Sequence, residues 1–167
     1  MKKLIIVNGS MGVGKSTVCR QLLKNLTPSV YLDGDWCWNM NPFVVTEENK
    51  AMVMDNITHL LNAFLRNSGY EYVIFCWVIH EDSIFDELLS RLKDAEYELY
   101  KVTLICSEQM LRKRLMQDVH NGIRNQGIIE RSIARLPLYT RMDTVKLDVS
   151  GITPQQAADE ICRLVSG

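Results

Sequence analysis

The sequence predicts an α/β fold in which a five-stranded parallel sheet carries helices on both faces. Short apolar segments alternate with amphipathic segments five times along the 167 residues, which is typical of repeated strand–helix units. Residues 72–79 are apolar throughout, as expected for a central strand that is buried on both faces. Because no linker or internal repeat interrupts this order, we expect residues 1–167 to form a single domain.

The individual elements follow from local patterns. Strands are predicted at residues 4–7, 30–32, 72–79, 100–106 and 144–149. Helices are predicted at residues 15–25, from Thr46 to Gly69, at 81–93, after Ser107, at 128–141 and from Pro154. Thr46 and Ser107 are residue types that cap helix N-termini. Pro137 is expected to kink or end its helix, and residues 36–45 are expected to form an ordered loop.

The turn between the first strand and the first helix carries the most specific motif. Residues 9–16 have the sequence GSMGVGKS, which fits the phosphate-binding pattern G-x-x-x-x-G-K-[ST]. Glycines let consecutive amides form an anion cradle, and the helix N-terminus adds the positive end of its dipole. We expect Lys15 to contact the β- and γ-phosphates of a nucleotide and Ser16 to ligate Mg²⁺. The predicted nucleotide-binding residues are Gly9, Met11, Gly12, Val13, Gly14, Lys15, Ser16, Thr17 and Arg114.

Composition excludes several other classes of protein. A formal net charge of −1 gives no reason to expect a long nucleic acid or a membrane surface as partner. The five cysteines are odd in number and form no C-x-x-C pair, so neither a disulfide framework nor a zinc site is predicted. No segment is apolar for long enough to span a membrane, and no signal peptide is recognised. We therefore expect a cytoplasmic protein.

Two carboxylates, Asp33 and Asp35, directly follow the second predicted strand. Ligands of parallel sheets bind beyond the carboxyl ends of the strands. One carboxylate is therefore a candidate to hold Mg²⁺ through water, and the other to accept a proton from a substrate hydroxyl. A plain Asp-Gly turn is the alternative. The third strand ends in Cys76-Trp77 and lacks the Asp of a Walker B element, which favours small-molecule kinases over motor-type ATPases.

A basic segment lies in the second half of the chain. Residues 112–146 contain eight Lys or Arg and three Asp or Glu, which suits a polyanionic small ligand better than a long nucleic acid. The glycine-flanked piece within residues 118–131 is expected to act as a lid over ATP. Arg124 is the preferred candidate to approach the transferring phosphoryl group, followed by Arg114 and Arg131. A solvated helix face is the alternative for at least half of the basic residues.

Aromatic residues follow the ends of two strands. Trp36, Trp38 and Trp77 are candidates to stack on a flat or sugar-like acceptor, and core packing is the alternative. His80 is expected to cap the helix at Glu81 rather than to contact substrate. Residues 149–153 either border the adenine or simply connect two elements.

With these residues in place, the chain resembles the small P-loop kinases of metabolites and antibiotics. This group includes shikimate, gluconate and adenylylsulfate kinases and chloramphenicol phosphotransferase. The resemblance rests on residues 9–17, 32–35, 111–118 and 147–150. It implies ATP and Mg²⁺ as cofactors, with Asp33 assisting Mg²⁺, Asp35 touching the acceptor hydroxyl and Arg124 as the lid arginine.

Two departures from this group stand out. Many relatives have Arg-Leu-x-x-Arg at the lid entrance, whereas this chain has Arg114 followed by Asp118 at the second arginine position. The glycine pair that shikimate kinases carry after strand three is replaced by Trp77-Val78-Ile79, so shikimate is not the expected acceptor.

The sequence therefore predicts an ATP-dependent phosphotransferase that acts on a hydroxyl group of a small molecule. Two alternatives remain at this stage. One is a kinase of nucleic-acid ends or of another large substrate, which needs an extended basic groove. The other is a nucleotide-binding switch without catalysis, against which the Asp33 and Asp35 pair counts.

Overall fold

The computed structural model describes residues 1–92 and 95–167. Its five strands are β1 (Lys2–Gly9), β2 (Ser29–Asp33), β3 (Tyr72–Trp77), β4 (Tyr97–Ile105) and β5 (Val145–Asp148). Its α-helices are α1 (Lys15–Asn25), α2 (Glu47–Arg66), α3 (Asp82–Ser90), α4 (Glu108–His120), α5 (Gly127–Arg141) and α6 (Pro154–Ser166). The predicted end of the third helix, Lys93, lies outside the described residues.

The five strands form one parallel sheet in the order β2-β3-β1-β4-β5. β1 is central, and Ile5 pairs with Ile74 of β3 on one side and with Tyr100 of β4 on the other. The predicted α/β fold with a five-stranded parallel sheet is confirmed. Because all five strands run in the same direction, their carboxyl ends share one edge, where ligands of such sheets bind.

Helices cover both faces of the sheet, as predicted. Side chains alternate along β1, so Ile5 faces one apolar cluster and Ile6 faces the other. The first cluster includes Leu22 of α1 and Ile161 of α6. The second cluster contains residues of α2 and α3 together with residues from the end of α5 and just beyond it. Two separate cores therefore hold the sheet rigidly between helical layers.

Several element boundaries differ from the prediction for local reasons. Residues 34–38 form a short 3₁₀ helix rather than a loop, because the Asp33 side chain accepts a hydrogen bond from the Asp35 amide at its N-terminus. β3 ends at Trp77 rather than at residue 79. There the Asn8 side-chain amide donates to the Ile79 carbonyl at 2.8 Å, which fixes the chain as it leaves the sheet.

Helix α5 continues through Pro137 to Arg141, so its predicted last residue is confirmed and, of the two effects expected of Pro137, the helix does not end there. A proline removes one backbone donor from the helix interior. Here the final turn carries Tyr139, which is buried, and Met142 is buried just beyond it. We infer that this packing offsets the loss and keeps the last turn helical.

The predicted caps of α2 and α4 are present, with Thr46 accepting from the Asn49 amide and Ser107 from the Met110 amide.

Across residues 1–92 and 95–167, no helix combines the length and the apolar character that crossing a membrane requires.

Candidate active site

A cleft of about 500 Å³ lies at the carboxyl edge of the sheet. We call it the phosphate cleft. It is lined by residues 11–18, Asp33, Asp35, Val78, Arg114, Gln117, Asp118, Arg124 and five residues between Val149 and Ala157. Of the residues predicted for the phosphate site, all line this cleft except Gly9 and Arg131.

The loop between β1 and α1 depends on glycine geometry. Gly12 and Gly14 have φ angles of 81° and 105°, which residues with a Cβ rarely adopt. A Cβ on Gly12 would also lie 2.6 Å from Leu115 Cδ2. The loop therefore closes tightly over α4, and its backbone borders the cleft along residues 11–16.

Lys15, the first residue of α1, lies inside this loop. Its side chain is buried, and Nζ donates to the carbonyl oxygens of Gly9 at 3.0 Å and Ser10 at 2.9 Å. Gly9 thus contributes a carbonyl to the site although it does not line the cleft. Burial lowers the pKa of Lys15, and the nearby Cys76, Asp35 and Asp33 oppose that shift. A buried ammonium with only carbonyl partners is a strong point of attraction for an anion.

Asp33 is buried and accepts hydrogen bonds on both oxygens. Oδ2 accepts from Ser16 Oγ at 2.7 Å and from the Tyr31 hydroxyl at 3.0 Å, while Oδ1 accepts from the Asp35 amide at 3.0 Å. Burial and the neighbouring Cys76 raise the pKa of Tyr31, which keeps the phenol protonated as a donor. The network fixes the carboxylate next to the Ser16 hydroxyl.

The donor set of Ser16 and Asp33 fits Mg²⁺. Both offer hard oxygen atoms, and Mg²⁺ usually takes one or two protein carboxylates and completes its shell with water and substrate phosphates. Within the described part of the chain, no three His, Cys, Asp or Glu residues are grouped closely enough to hold a metal by themselves. The site is therefore suited to a metal that arrives with a phosphate ligand.

Asp35 lies two residues further on and is exposed to solvent at the cleft wall. Its pKa is raised, first because the surrounding protein partly desolvates the carboxylate and second because Asp33 is negatively charged. Lys15 and Arg124 act in the opposite direction. The structure thus separates the two carboxylates into one that is fully hydrogen-bonded and one that is open to a ligand.

Cys76 lies near the end of β3, at the position where a Walker B element would carry an aspartate. Its Sγ lies 3.2 Å from the Tyr31 hydroxyl and 4.0 Å from Ser16 Oγ. Tyr31 was not among the predicted site residues, whereas Cys76 was predicted to end the third strand with Trp77. A signal was present, because Tyr31 and Asp33 are two residues apart on β2 and therefore share one face of the sheet.

Of the three candidate arginines, Arg114 and Arg124 line the phosphate cleft, whereas Arg131 does not. Arg114 Nη1 donates to the Val13 carbonyl at 2.8 Å, and Arg124 Nε donates to Asp118 Oδ2 at 2.9 Å. Arg124 extends from the six-residue connection between α4 and α5, within the predicted lid. Arg131 donates to the Gly127 carbonyl, is exposed and does not line the cleft. The ranking of Arg131 as a phosphate-site candidate is therefore not supported.

A second, larger cavity of about 1060 Å³ adjoins the phosphate cleft. We call it the aromatic cavity. Its walls include Trp36, Trp38, Phe43, Trp77, His80, Arg135 and parts of α2 and α3, and it shares Met11, Asp35 and Val78 with the phosphate cleft. The structure brings together the three tryptophans that were candidates for acceptor contact.

His80 does not cap α3, contrary to the prediction. The cap residue is Glu81, and no side chain accepts a hydrogen bond there. His80 Nε2 instead lies 3.5 Å from Glu81 Oε1, on the wall of the aromatic cavity.

The parallel sheet, the glycine loop and the lysine at the start of α1 define a P-loop protein. The chain belongs to the AAA domain family, whose model matches residues 5–135. A search of curated protein sequences found no match.

Solved structures with similar folds include several small kinases. The tunicamycin resistance protein of Deinococcus radiodurans is 23% identical with a TM-score of 0.69, and the match covers 99% of this chain and 96% of that chain. The gluconokinase of Sinorhizobium meliloti 1021 is 19% identical with a TM-score of 0.69, over 99% and 94% of the two chains. The APS kinase of Mycobacterium tuberculosis, solved with AMPPNP and APS, is 18% identical with a TM-score of 0.69, over 99% and 98%. The predicted resemblance to P-loop kinases is confirmed.

Proposed function

We propose that this protein is a kinase that transfers the γ-phosphoryl group of ATP to a hydroxyl group of a small molecule. The observation that carries the proposal is the convergence of Lys15, Ser16, Asp33, Asp35 and Arg124 on one cleft. These side chains come from three separate parts of the chain. Together they supply the cations, the metal-binding oxygens and the proton acceptor that phosphoryl transfer requires.

The strand order supports a position in the cleft for the phosphates, for the base and for the acceptor hydroxyl. The P-loop follows central β1, the two aspartates follow β2 at one edge, and Val149 and Ile152 follow β5 at the other edge. All of them line the phosphate cleft. We assign the phosphates to the centre, the acceptor hydroxyl to the β2 side and the base to the β5 side. Of the two roles considered for residues 149–153, the border of the base is the one that this position supports.

The phosphates are bound by the loop amides and by Lys15. The ammonium group now contacts the carbonyls of Gly9 and Ser10, and it is already positioned inside the loop before any anion arrives. A preorganised charge of this kind stabilises the transition state without further rearrangement. Arg114 contributes indirectly, because its hydrogen bond to the Val13 carbonyl holds the loop against α4.

Mg²⁺ would be held by Ser16 directly and by Asp33, and when bound it neutralises charge on the phosphate oxygens. The Tyr31 hydroxyl and the Asp35 amide hold the Asp33 carboxylate in place. Asp33 therefore has a positioning role that does not require it to accept a proton.

Asp35 is assigned as the group that receives the acceptor's proton. In the reaction, the acceptor oxygen forms a bond to the γ-phosphorus, the bond from that phosphorus to the β–γ bridging oxygen breaks, and ADP leaves. The hydroxyl proton passes to the Asp35 carboxylate. A raised pKa makes this carboxylate a better base than an ordinary one, and its exposure leaves it accessible to the acceptor.

Arg124 is assigned to the transferring phosphoryl group. Its ion pair with Asp118 holds the guanidinium at the cleft wall, close enough to Lys15 and Asp35 to influence the pKa of each. Partial exposure of both Arg124 and Asp118 leaves the pair free to exchange partners when phosphate enters.

The test is ADP formation by the purified chain with Mg²⁺ and ATP, with and without a panel of hydroxylated acceptors. The proposal predicts acceptor-dependent ADP formation and transfer of ³²P from γ-labelled ATP to the acceptor. Tight ATP binding without transfer to any acceptor would favour the switch alternative. Salt-sensitive binding and end-labelling of oligonucleotides would favour the nucleic-acid kinase.

A further inference from the structure

The aromatic cavity contains all the tryptophan of the protein. The chain has three tryptophans, and Trp36, Trp38 and Trp77 all line this cavity together with Phe43. Trp38 and Phe43 form a tilted pair with ring centroids 5.7 Å apart, and Trp36 packs edge-on against Tyr31 at 5.3 Å. Trp38 and Trp77 also pack partly against the apolar cluster of α2 and α3, so these contacts fix the rings on the wall of the cavity.

Two of these rings remain open to solvent. Trp36 is 54% exposed and Phe43 is 64% exposed. Large apolar side chains exposed together and rimmed by polar residues mark a binding surface, because leaving them in water is unfavourable. Core packing, the alternative considered for the tryptophans, holds in part for Trp38 and Trp77, which pack against the apolar cluster of α2 and α3. It does not explain the exposure of Trp36.

The charges around the cavity balance. Its lining includes the three carboxylates of Asp35, Glu47 and Glu87 and the three cations of Lys50, Arg91 and Arg135. Lys50 pairs with Glu47 at 2.9 Å, and Arg91 pairs with Glu87 at 2.7 Å. The wall thus gives no net attraction to a strongly anionic or strongly cationic acceptor.

The cavity opens directly onto the proposed proton acceptor. Asp35 and Val78 line both cavities, so a hydroxyl group at this boundary reaches Asp35 while the rest of its molecule stays among the aromatic rings. The volume of about 1060 Å³ slightly exceeds the roughly 300–1,000 Å³ that is usual for small-molecule sites. It has room for a fused ring system beyond a single sugar ring.

We propose that the aromatic cavity binds a neutral, largely apolar alcohol or phenol with a flat ring system, whose hydroxyl group lies at Asp35. This inference rests on the proposed kinase function and adds the chemical class of its acceptor. Trp36 and Phe43 supply the exposed stacking surfaces, since aromatic faces bind flat apolar rings with little loss of side-chain freedom.

The experiment compares four hydroxylated probes on the full chain. The neutral flat probe is 2-naphthalenemethanol, the neutral polar probe is myo-inositol, the anionic probe is gluconate and the cationic probe is glucosamine. Binding is measured by saturation-transfer difference NMR, and transfer by ADP formation with Mg²⁺ and ATP. We expect 2-naphthalenemethanol to bind at least tenfold more tightly than each polar probe.

Trp36→Ala and Phe43→Ala test the site itself. Each is expected to weaken binding of 2-naphthalenemethanol about fivefold, because each removes one stacking surface. Leu164→Ala removes an exposed apolar side chain from α6, away from the cavity, and serves as the matched control. Both aromatic residues are exposed, so their replacement should leave the melting temperature nearly unchanged.

The outcomes separate the two proposals. If myo-inositol, gluconate or glucosamine binds within tenfold of 2-naphthalenemethanol or more tightly, or if affinity is unchanged in both aromatic variants, the acceptor class is overturned. ADP formation with a polar probe but not with the naphthyl alcohol overturns it too, while the kinase proposal stands. If 2-naphthalenemethanol binds as expected but the protein neither binds ATP nor forms ADP, the kinase proposal fails and only a ring-binding site remains.

Discussion

The phosphate cleft and the aromatic cavity share Met11, Asp35 and Val78 but differ in the parts of the chain that form their walls. In the phosphate cleft, one continuous stretch, residues 11–18, supplies the loop backbone and Lys15. The wall of the aromatic cavity is made of side chains drawn from four separate parts of the chain. A phosphate presents the same oxygens in every nucleotide, so backbone amides suffice to bind it. An acceptor differs from enzyme to enzyme, and its cavity must be shaped by side chains.

This contrast predicts that changes in the two regions should affect different steps. Changes in the phosphate cleft should impair turnover and leave acceptor binding intact. Changes around the aromatic cavity should impair acceptor binding and leave nucleotide binding intact.

Lys15→Ala should have the largest effect. Loss of the only ammonium in the loop should reduce the turnover number about 10⁴-fold, the range in which one transition-state cation contributes. Binding of 2-naphthalenemethanol should not change. Steady-state ADP formation measures the turnover number, and NMR titration measures the affinity for 2-naphthalenemethanol. Lys24→Ala, an exposed lysine at the end of α1, is the control, and turnover like wild type in Lys15→Ala would refute the assignment.

Asp35→Asn sharpens the comparison because Asp35 belongs to both regions. Acceptor turnover should fall about 10³-fold, since a positioned general base contributes roughly 10²–10⁴-fold, whereas ATP affinity should stay within about twofold. The rate in wild type should fall with decreasing pH through a pKa above that of an ordinary Asp, because the base must be deprotonated. This inflection should be absent from the residual activity of the variant.

Asp86→Asn, an exposed carboxylate on α3, controls for the change of charge. Equal losses of acceptor turnover and ATP affinity in Asp35→Asn would contradict the assigned role.

Arg124→Ala should reduce the turnover number about 10²-fold, as expected for one electrostatic contact to the transition state. Acceptor binding should be unaffected. Arg131→Ala is a close control, because Arg131 is on the neighbouring helix but outside the cleft. The ratio of the two effects is measured by single-turnover kinetics, and equal losses would mean that the ion pair between Arg124 and Asp118 is only structural.

Gly34→Ala should act on the other region. A Cβ at Gly34 would lie 2.6 Å from Trp77 Cγ, so the indole ring must move. We expect destabilisation of about 1–3 kcal/mol, which is usual for an overpacked site, and an increase in the KM of the acceptor. Gly151→Ala is the matched control, since in the described structure the added Cβ meets no heavy atom within 4 Å apart from its chain neighbours. Urea unfolding measures the loss of stability, and initial rates measure the KM of the acceptor. A change in ATP affinity larger than the change in acceptor KM would contradict the separate roles of the two cavities.

The smallest predicted effect concerns stability. The folded protein raises the pKa of Asp35, so it binds the proton more tightly than the unfolded chain does. Ionised Asp35 therefore lowers stability above that pKa, and this loss disappears as the pH falls through it. Asp35→Asn should raise the melting temperature at pH 7 by no more than about 2 °C, since the side chain is partly exposed. Calorimetry at several pH values measures the difference, and a lower melting temperature at pH 7 would contradict it.

The sequence predicted the fold and the phosphate cleft well because both depend on local signals. Periodicity located the five strands and six α-helices of residues 1–92 and 95–167. The motif of residues 9–16 carries its own geometry through glycines and the start of α1. The separate roles of Asp33 and Asp35 came only from resemblance. Their physical difference, one carboxylate enclosed by Tyr31 and Ser16 and one open, depends on contacts between β2 and α1.

By itself, the sequence determined a P-loop on a five-stranded parallel sheet, because amide direction and strand burial follow from neighbouring residues. Only the tertiary structure decided that the tryptophans share one cavity, that Asp118 pairs with Arg124 and that His80 leaves α3 uncapped. Those outcomes depend on how distant segments pack, and no local pattern records the distance between them. The aromatic cavity is therefore a property of the folded chain, whereas the P-loop is a property of its sequence.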